Sequence, residues 1–125
     1  QPGEDVQPRI NDVAAYAAWF DERSPDTRFG HHMIATEPEE EAYIMHGSLR
    51  TPTFGGFARC DSYQEWLAAQ DPTAAFRYVR DALKYLIWQG LADPDKPFLL
   101  KCVVTLGCEP QIREVHPDAT IVALH

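Results

Sequence analysis

The chain has 125 residues, 45% of them hydrophobic and 24% charged. That balance excludes a disordered chain and allows one globular domain with a core of ordinary size. A formal net charge of −8, with Lys and Arg scattered, excludes a basic footprint for nucleic acid. No apolar run is long enough to span a bilayer, and the polar, acidic start from Gln1 to Asp5 does not read as a signal peptide. Cys60, Cys102 and Cys108 form no even disulfide framework. Buried, reduced thiols in a cytoplasmic protein are the expectation.

Residues 1–10 read as a loop. Asn11 can cap a first helix, with Val13, Tyr16, Ala17 and Phe20 at i, i+3, i+4 and i+7, ending between Asp21 and Pro25. A second helix is predicted from about Thr36 or Pro38 to His46, with Gly47 as its stop. Proline is tolerated in a first turn, and Glu39, Glu40 and Glu41 suit the positive end of a helix dipole. Residues 47–60, with Thr51-Pro52-Thr53 and Gly55-Gly56, read as a loop. Ser62 and Glu65 have capping-box spacing and predict a short helix carrying Trp66 and Leu67.

Asp71-Pro72 opens the clearest helix. Phe76, Val79, Leu83, Leu86 and Ile87 form one apolar stripe, and Gly90 is its natural stop. Residues 92–97 read as a turn and 98–104 as a buried strand. A short helix is predicted from about Gly107 to Val115, a turn at His116-Pro117-Asp118, and a second buried strand at 120–124. Strand, helix and strand in that order predict a parallel βαβ unit.

One ordered set of residues resembles the bacterial sulfotransferase family, whose members use 3′-phosphoadenylyl sulfate. The set comprises His31, Ala35 and Pro38-Glu39-Glu40, then Tyr63, Trp66 and Leu67. It continues with Phe76, Tyr78, Leu83, Leu86, Trp88 and Gln89, and closes with Leu100-Lys101, Leu106-Gly107, Pro117-Asp118-Ala119 and Ile121-Val122. No single piece is diagnostic; the order and spacing together carry the likeness. It implies an α/β fold: a segment of a three-layer, parallel-sheet domain similar to P-loop nucleotide kinases, helix-rich in this portion. Residues 1–125 would form a single, partial domain. The family's glycine-rich donor loop is expected before Gln1 and its Arg-Asp-Pro after His125. The chain would then be an internal piece, inactive in isolation, with an exposed sheet edge open to pairing.

The resemblance implies transfer of a sulfuryl group from 3′-phosphoadenylyl sulfate, the co-substrate, to a hydroxyl or amine of a small-molecule, lipid or sugar acceptor. No metal is required, and a homo-oligomer is compatible. Such chemistry needs a donor cradle, a positioned acceptor and a proton acceptor. His31 matches the family's histidine ahead of the Pro-Glu-Glu helix and is the candidate base; its bland reading is a surface or capping histidine. His32 stands where relatives often carry proline.

Glu40 could orient His31, bind the acceptor or act as base, or merely stabilise a helix start. Lys101 is expected to emerge at a strand's C-terminal edge, where ligands bind in open α/β sheets, and to contact the donor phosphates. Its bland reading is a snorkelling lysine. Relatives often have Lys-Ser-Pro-x-His where this chain has Cys102, Val103 and Thr105, which puts contacts there in doubt. Gly55-Gly56 reads as a turn, not a phosphate loop. Cys102, Cys108, His116 and His125 lack zinc-ligand spacing. Two further readings are a non-catalytic module that binds a partner or apolar ligand, and a different transferase or hydrolase using His31 and Glu40.

Overall fold

The structure, a computed structural model, describes residues 5–26 and 29–123. It contains α1 (Gln7–Arg23), α2 (Ala42–His46), α3 (Phe54–Phe57), α4 (Asp61–Ala68), α5 (Thr73–Trp88) and α6 (Glu109–Val115), with a short 3-10 turn at Val103–Thr105. Two compact units divide the chain, residues 1–39 and residues 40–125.

In the first unit, α1 begins four residues before Asn11. Pro8 fits a first turn, where its missing N–H costs nothing. Just ahead of the helix, the Asp5 carboxylate accepts the Gln7 amide at 3.0 Å. One face of α1 carries stacked rings, with Tyr16 5.9 Å from Trp19 and 6.2 Å from Phe20. The Arg23 guanidinium lies 4.6 Å from the Trp19 ring centre. No residue of α1 is buried.

The second unit is built on α5. Phe76, Val79 and Leu83 are buried along one stripe of it and pack with Met45 of α2 and Val115 of α6. Burying each such side chain stabilises the fold by about 1.5–3 kcal/mol relative to leaving it in water. Asp71 Oδ1 accepts the Thr73 amide at 2.9 Å as α5 begins. Hydrogen bonds from Thr73 hold the Asp71 carboxyl below its usual range. The helix ends in a Schellman motif: the Leu91 amide donates to Leu86 O and the Gly90 amide to Ile87 O, both at 2.9 Å. Gly90 takes φ of +71°, where a side chain would be strained. Arg77 of α5 and Glu114 of α6 add an exposed ion pair at 2.6 Å.

The parallel-sheet α/β expectation is overturned, because no strand occurs among the described residues. The apolar runs at 98–104 and 120–124 misled the reading. A strand exists only within a ladder of backbone hydrogen bonds. Here 98–100 and 120–123 make no backbone hydrogen bond to the described residues. Residues 103–105 form the 3-10 turn instead, and Leu124 lies outside the described residues. Leu99 is 96% exposed, so this run is not a buried strand, and Lys101 does not leave the edge of a sheet.

Two local expectations also change. The helix predicted from residue 36 or 38 is confined to 42–46; ahead of it the chain makes a separate turn, the Glu37 amide donating to Ile34 O at 2.9 Å. Ser62 lies inside α4, which starts at Asp61 without a side-chain cap, so the capping box does not form. The α5 stripe, its start and its stop match the sequence reading. If α5 is the keel of this unit, Leu83→Ala should lower unfolding stability by about 2–4 kcal/mol in urea titrations.

Candidate functional site

The residues singled out in the sequence fall into two places. In the first unit, His31 Nε2 lies 2.9 Å from Glu39 Oε2, each side chain about one-third exposed. The carboxylate bonded to His31 is thus the first glutamate of the Pro-Glu-Glu run. In the second unit, the ammonium of Lys101 is paired with Glu40 Oε1. The lysine side chain is 71% exposed and the glutamate side chain 16% exposed. Glu40 and Lys101 are brought together across 61 positions. His31 belongs to a different unit from both.

Beside that pair is a residue the sequence reading passed over. Glu41 is 8% exposed, and its Oε2 is closed to solvent with no hydrogen-bond partner. Burial pushes its carboxyl above the usual range. Hydrogen bonding from the backbone at Glu41 and Lys101 acts the other way, as does the Lys101 charge, while Glu40 adds to the rise. Nothing in the run Glu39-Glu40-Glu41 distinguishes three acids by type. Only the start of α2 immediately afterwards, with Ala42 and Met45 facing the core, decides that Glu41 turns inward.

Glu41 lines a cleft of about 800 Å³. Its floor is the α5 stripe, including Phe76, Val79 and Leu83, and its walls are residues 98–106 and 116–123 with α6. Cys102 also lines it, and burial raises that thiol's pKa, with Glu41 and Glu40 adding to the rise. It is a poor nucleophile at neutral pH, since the thiolate is the reactive form. His116 lies on the same cleft, its pKa lowered by burial and then by Arg80 and Lys84, so its imidazole is kept neutral.

A second polar cluster joins α2 to α4. Thr51 is fully buried. Its hydroxyl is 2.8 Å from Thr53 Oγ1, which is 2.6 Å from His46 Nε2. The Tyr63 hydroxyl donates to Thr51 O at 2.8 Å and accepts the Thr51 amide at 3.2 Å. The His46 ring contacts Tyr43, Phe54 and Phe57, and burial lowers its pKa. This cluster satisfies its own polar groups and locks the 47–60 segment in place. The sequence reading treated that segment as plain loop.

Among the described residues, no three His, Cys, Asp or Glu side chains converge as a metal site, and no helix is long and apolar enough to cross a membrane. No protein family, curated protein or solved structure matches the chain.

The buried carboxyl has a pH signature. Glu41 in the folded state keeps its proton above the ordinary glutamate value of 4.5, where the unfolded chain has lost it. Folded-state stability therefore falls as pH rises through that window and stays lower above it. Measured against Glu41→Gln, the parent protein should lose thermal stability from pH 4.5 towards neutrality. A gap between the two that stays constant with pH would contradict this account.

Proposed function

We propose that this chain serves sulfuryl transfer from 3′-phosphoadenylyl sulfate to a hydroxyl or amine of a small-molecule, lipid or sugar acceptor. The observation that carries the reading is the Glu40–Lys101 ion pair. Two residues that the sulfotransferase resemblance singles out, far apart in sequence, meet beside an apolar cleft.

The chemistry follows from that pair. The exposed ammonium of Lys101 can leave Glu40 for the more highly charged donor and offset the negative charge that develops on the leaving phosphate oxygen. Glu40, released, accepts a proton. The acceptor's oxygen or nitrogen attacks sulfur while the bond from sulfur to the phosphate oxygen breaks. Adenosine 3′,5′-bisphosphate departs and the acceptor's proton passes to the carboxylate. Positioning and charge stabilisation supply most of the rate, by analogy with phosphoryl transfer. His31, the resemblance's candidate base, is bonded to Glu39 in the other unit and takes no part in this step.

A second reading rests on the open backbone of 98–100 and 120–123 and the exposed Leu99 and Val122. These features suit a non-catalytic module that receives an extended partner segment across the cleft.

Protein expressed from the complete reading frame should move label from ³⁵S-labelled 3′-phosphoadenylyl sulfate to pooled alcohols and amines. Lys101→Ala should cut transfer by about tenfold or more, the scale of one lost charge-assisted contact. Absence of label transfer, together with absence of calorimetric binding by adenosine 3′,5′-bisphosphate, would reject the transferase reading.

A further inference from the structure

Side chains from two helices hold residues 47–60 in place. Leu49 takes φ of +55°, a left-handed backbone that a branched side chain enters only at a cost. Its side chain is 65% exposed, so packing does not offset that cost. From α4, the Tyr63 hydroxyl lies 3.2 Å from Leu49 O, 2.8 Å from Thr51 O and 3.2 Å from the Thr51 amide. From α2, His46 Nε2 meets Thr53 Oγ1 at 2.6 Å, and Thr53 Oγ1 meets Thr51 Oγ1 at 2.8 Å.

The protons along the second of these connections can be counted. His46 Nε2, Thr53 Oγ1 and Thr51 Oγ1 share two contacts, and Thr51 Oγ1 also accepts the Thr53 amide at 3.4 Å. Each hydroxyl brings one proton. Both are placed when Nε2 accepts, with Thr51 donating to Thr53 and Thr53 donating to His46. The Nε2 of an imidazolium can only donate. Three protons then meet two contacts, and one hydroxyl proton has no acceptor among the described residues. Thr51 is fully buried, so its hydroxyl has no water to turn to. A buried donor stripped of its acceptor bears its full desolvation penalty.

We propose that residues 47–60 form a pH-operated latch, closed while His46 Nε2 accepts from Thr53 and opened when that nitrogen is protonated. The strained turn at Leu49 favours opening once the Thr53 contact is lost. Opening also moves part of the wall of a second hollow, of about 390 Å³, which Arg50 and Pro52 line together with Gln64, Leu67 and Phe76.

The surroundings of the imidazole set the sign. Tyr43 faces it from α2, Phe54 and Phe57 face it from α3, and Thr53 bonds it. Of these only Tyr43 titrates, at about pH 10. Burial alone lowers the His46 pKa, with no charged side chain contributing. The open segment therefore binds the proton at the ordinary value of 6.5 and the closed one more weakly. The latch is firm above that value and loosens as pH falls below it. Glu41 acts in the opposite sense. His116 acts in the same sense, but at the end of α6.

The test is amide exchange resolved by residue at pH 7 and pH 5, corrected for intrinsic rates, with the His46 ring titration followed by nuclear magnetic resonance. It uses protein from the complete reading frame. The His46 midpoint should fall below 6.5. Protection at Thr51, Gly55 and Gly56 should drop by about tenfold from pH 7 to pH 5, while Val79 and Leu83 keep theirs. His46→Gln should remove the pH dependence in 47–60, which separates this latch from any effect of His116. A midpoint at or above 6.5, as the surrounding rings would give if they held an imidazolium, overturns the proposal. So does protection in 47–60 that is unchanged with pH, that drops equally in α5, or that drops as far in His46→Gln. Should that variant misfold, the midpoint and the exchange pattern of the parent protein decide.

Discussion

The second unit depends on one constraint: the apolar stripe of α5 must be covered. Val79, 1% exposed, lies at its centre, with Met45 of α2 and Val115 of α6 packed around the same stripe. The first of these contacts fixes α2, and with it the chain direction at Glu40 and Glu41. The second fixes α6, and with it the path of 116–123. What α2 and α6 leave uncovered of the stripe is the floor of the cleft. The core and the candidate site are therefore two parts of one helix face.

Neighbouring acids then acquire different chemistry from where the chain places each one. Glu39 bonds to His31, Glu40 to Lys101, and Glu41 turns inward with one oxygen unsatisfied. Burying an ionisable group costs free energy unless a partner offsets it. That the fold accepts this cost at one carboxyl, beside a cleft of ligand size, is the physical basis for reading the region as a site. The polar cluster of His46, Thr51, Thr53 and Tyr63 is the contrasting case. There the buried groups satisfy one another, and the cluster needs no ligand to account for it.

How much of this could be read from the sequence varied with the kind of signal. The α5 stripe was legible because five apolar residues at helical spacing, bounded by Asp71-Pro72 and Gly90, allow one interpretation. The runs 98–104 and 120–124 were not, because a short apolar run records burial or stickiness without recording whether a partner strand exists. Glu40 and Lys101 were both named as site residues, on resemblance, and do meet. Glu41 was passed over, since which of the three acids ahead of α2 turns inward depends on packing. The Ser62–Glu65 spacing failed for a local reason: α4 starts one residue earlier and leaves the serine inside the helix.

The most direct test of this account is amide hydrogen exchange resolved by residue in solution, with backbone contacts mapped by nuclear Overhauser effects. The account predicts slow exchange through the middle of α5, fast exchange at Leu99, Leu100, Ile121 and Val122, and no cross-strand contacts between 98–102 and 120–123. Slow exchange at those four amides, with strand-type contacts linking the two segments, would contradict it. The cleft would then be the interior of a sheet-containing fold.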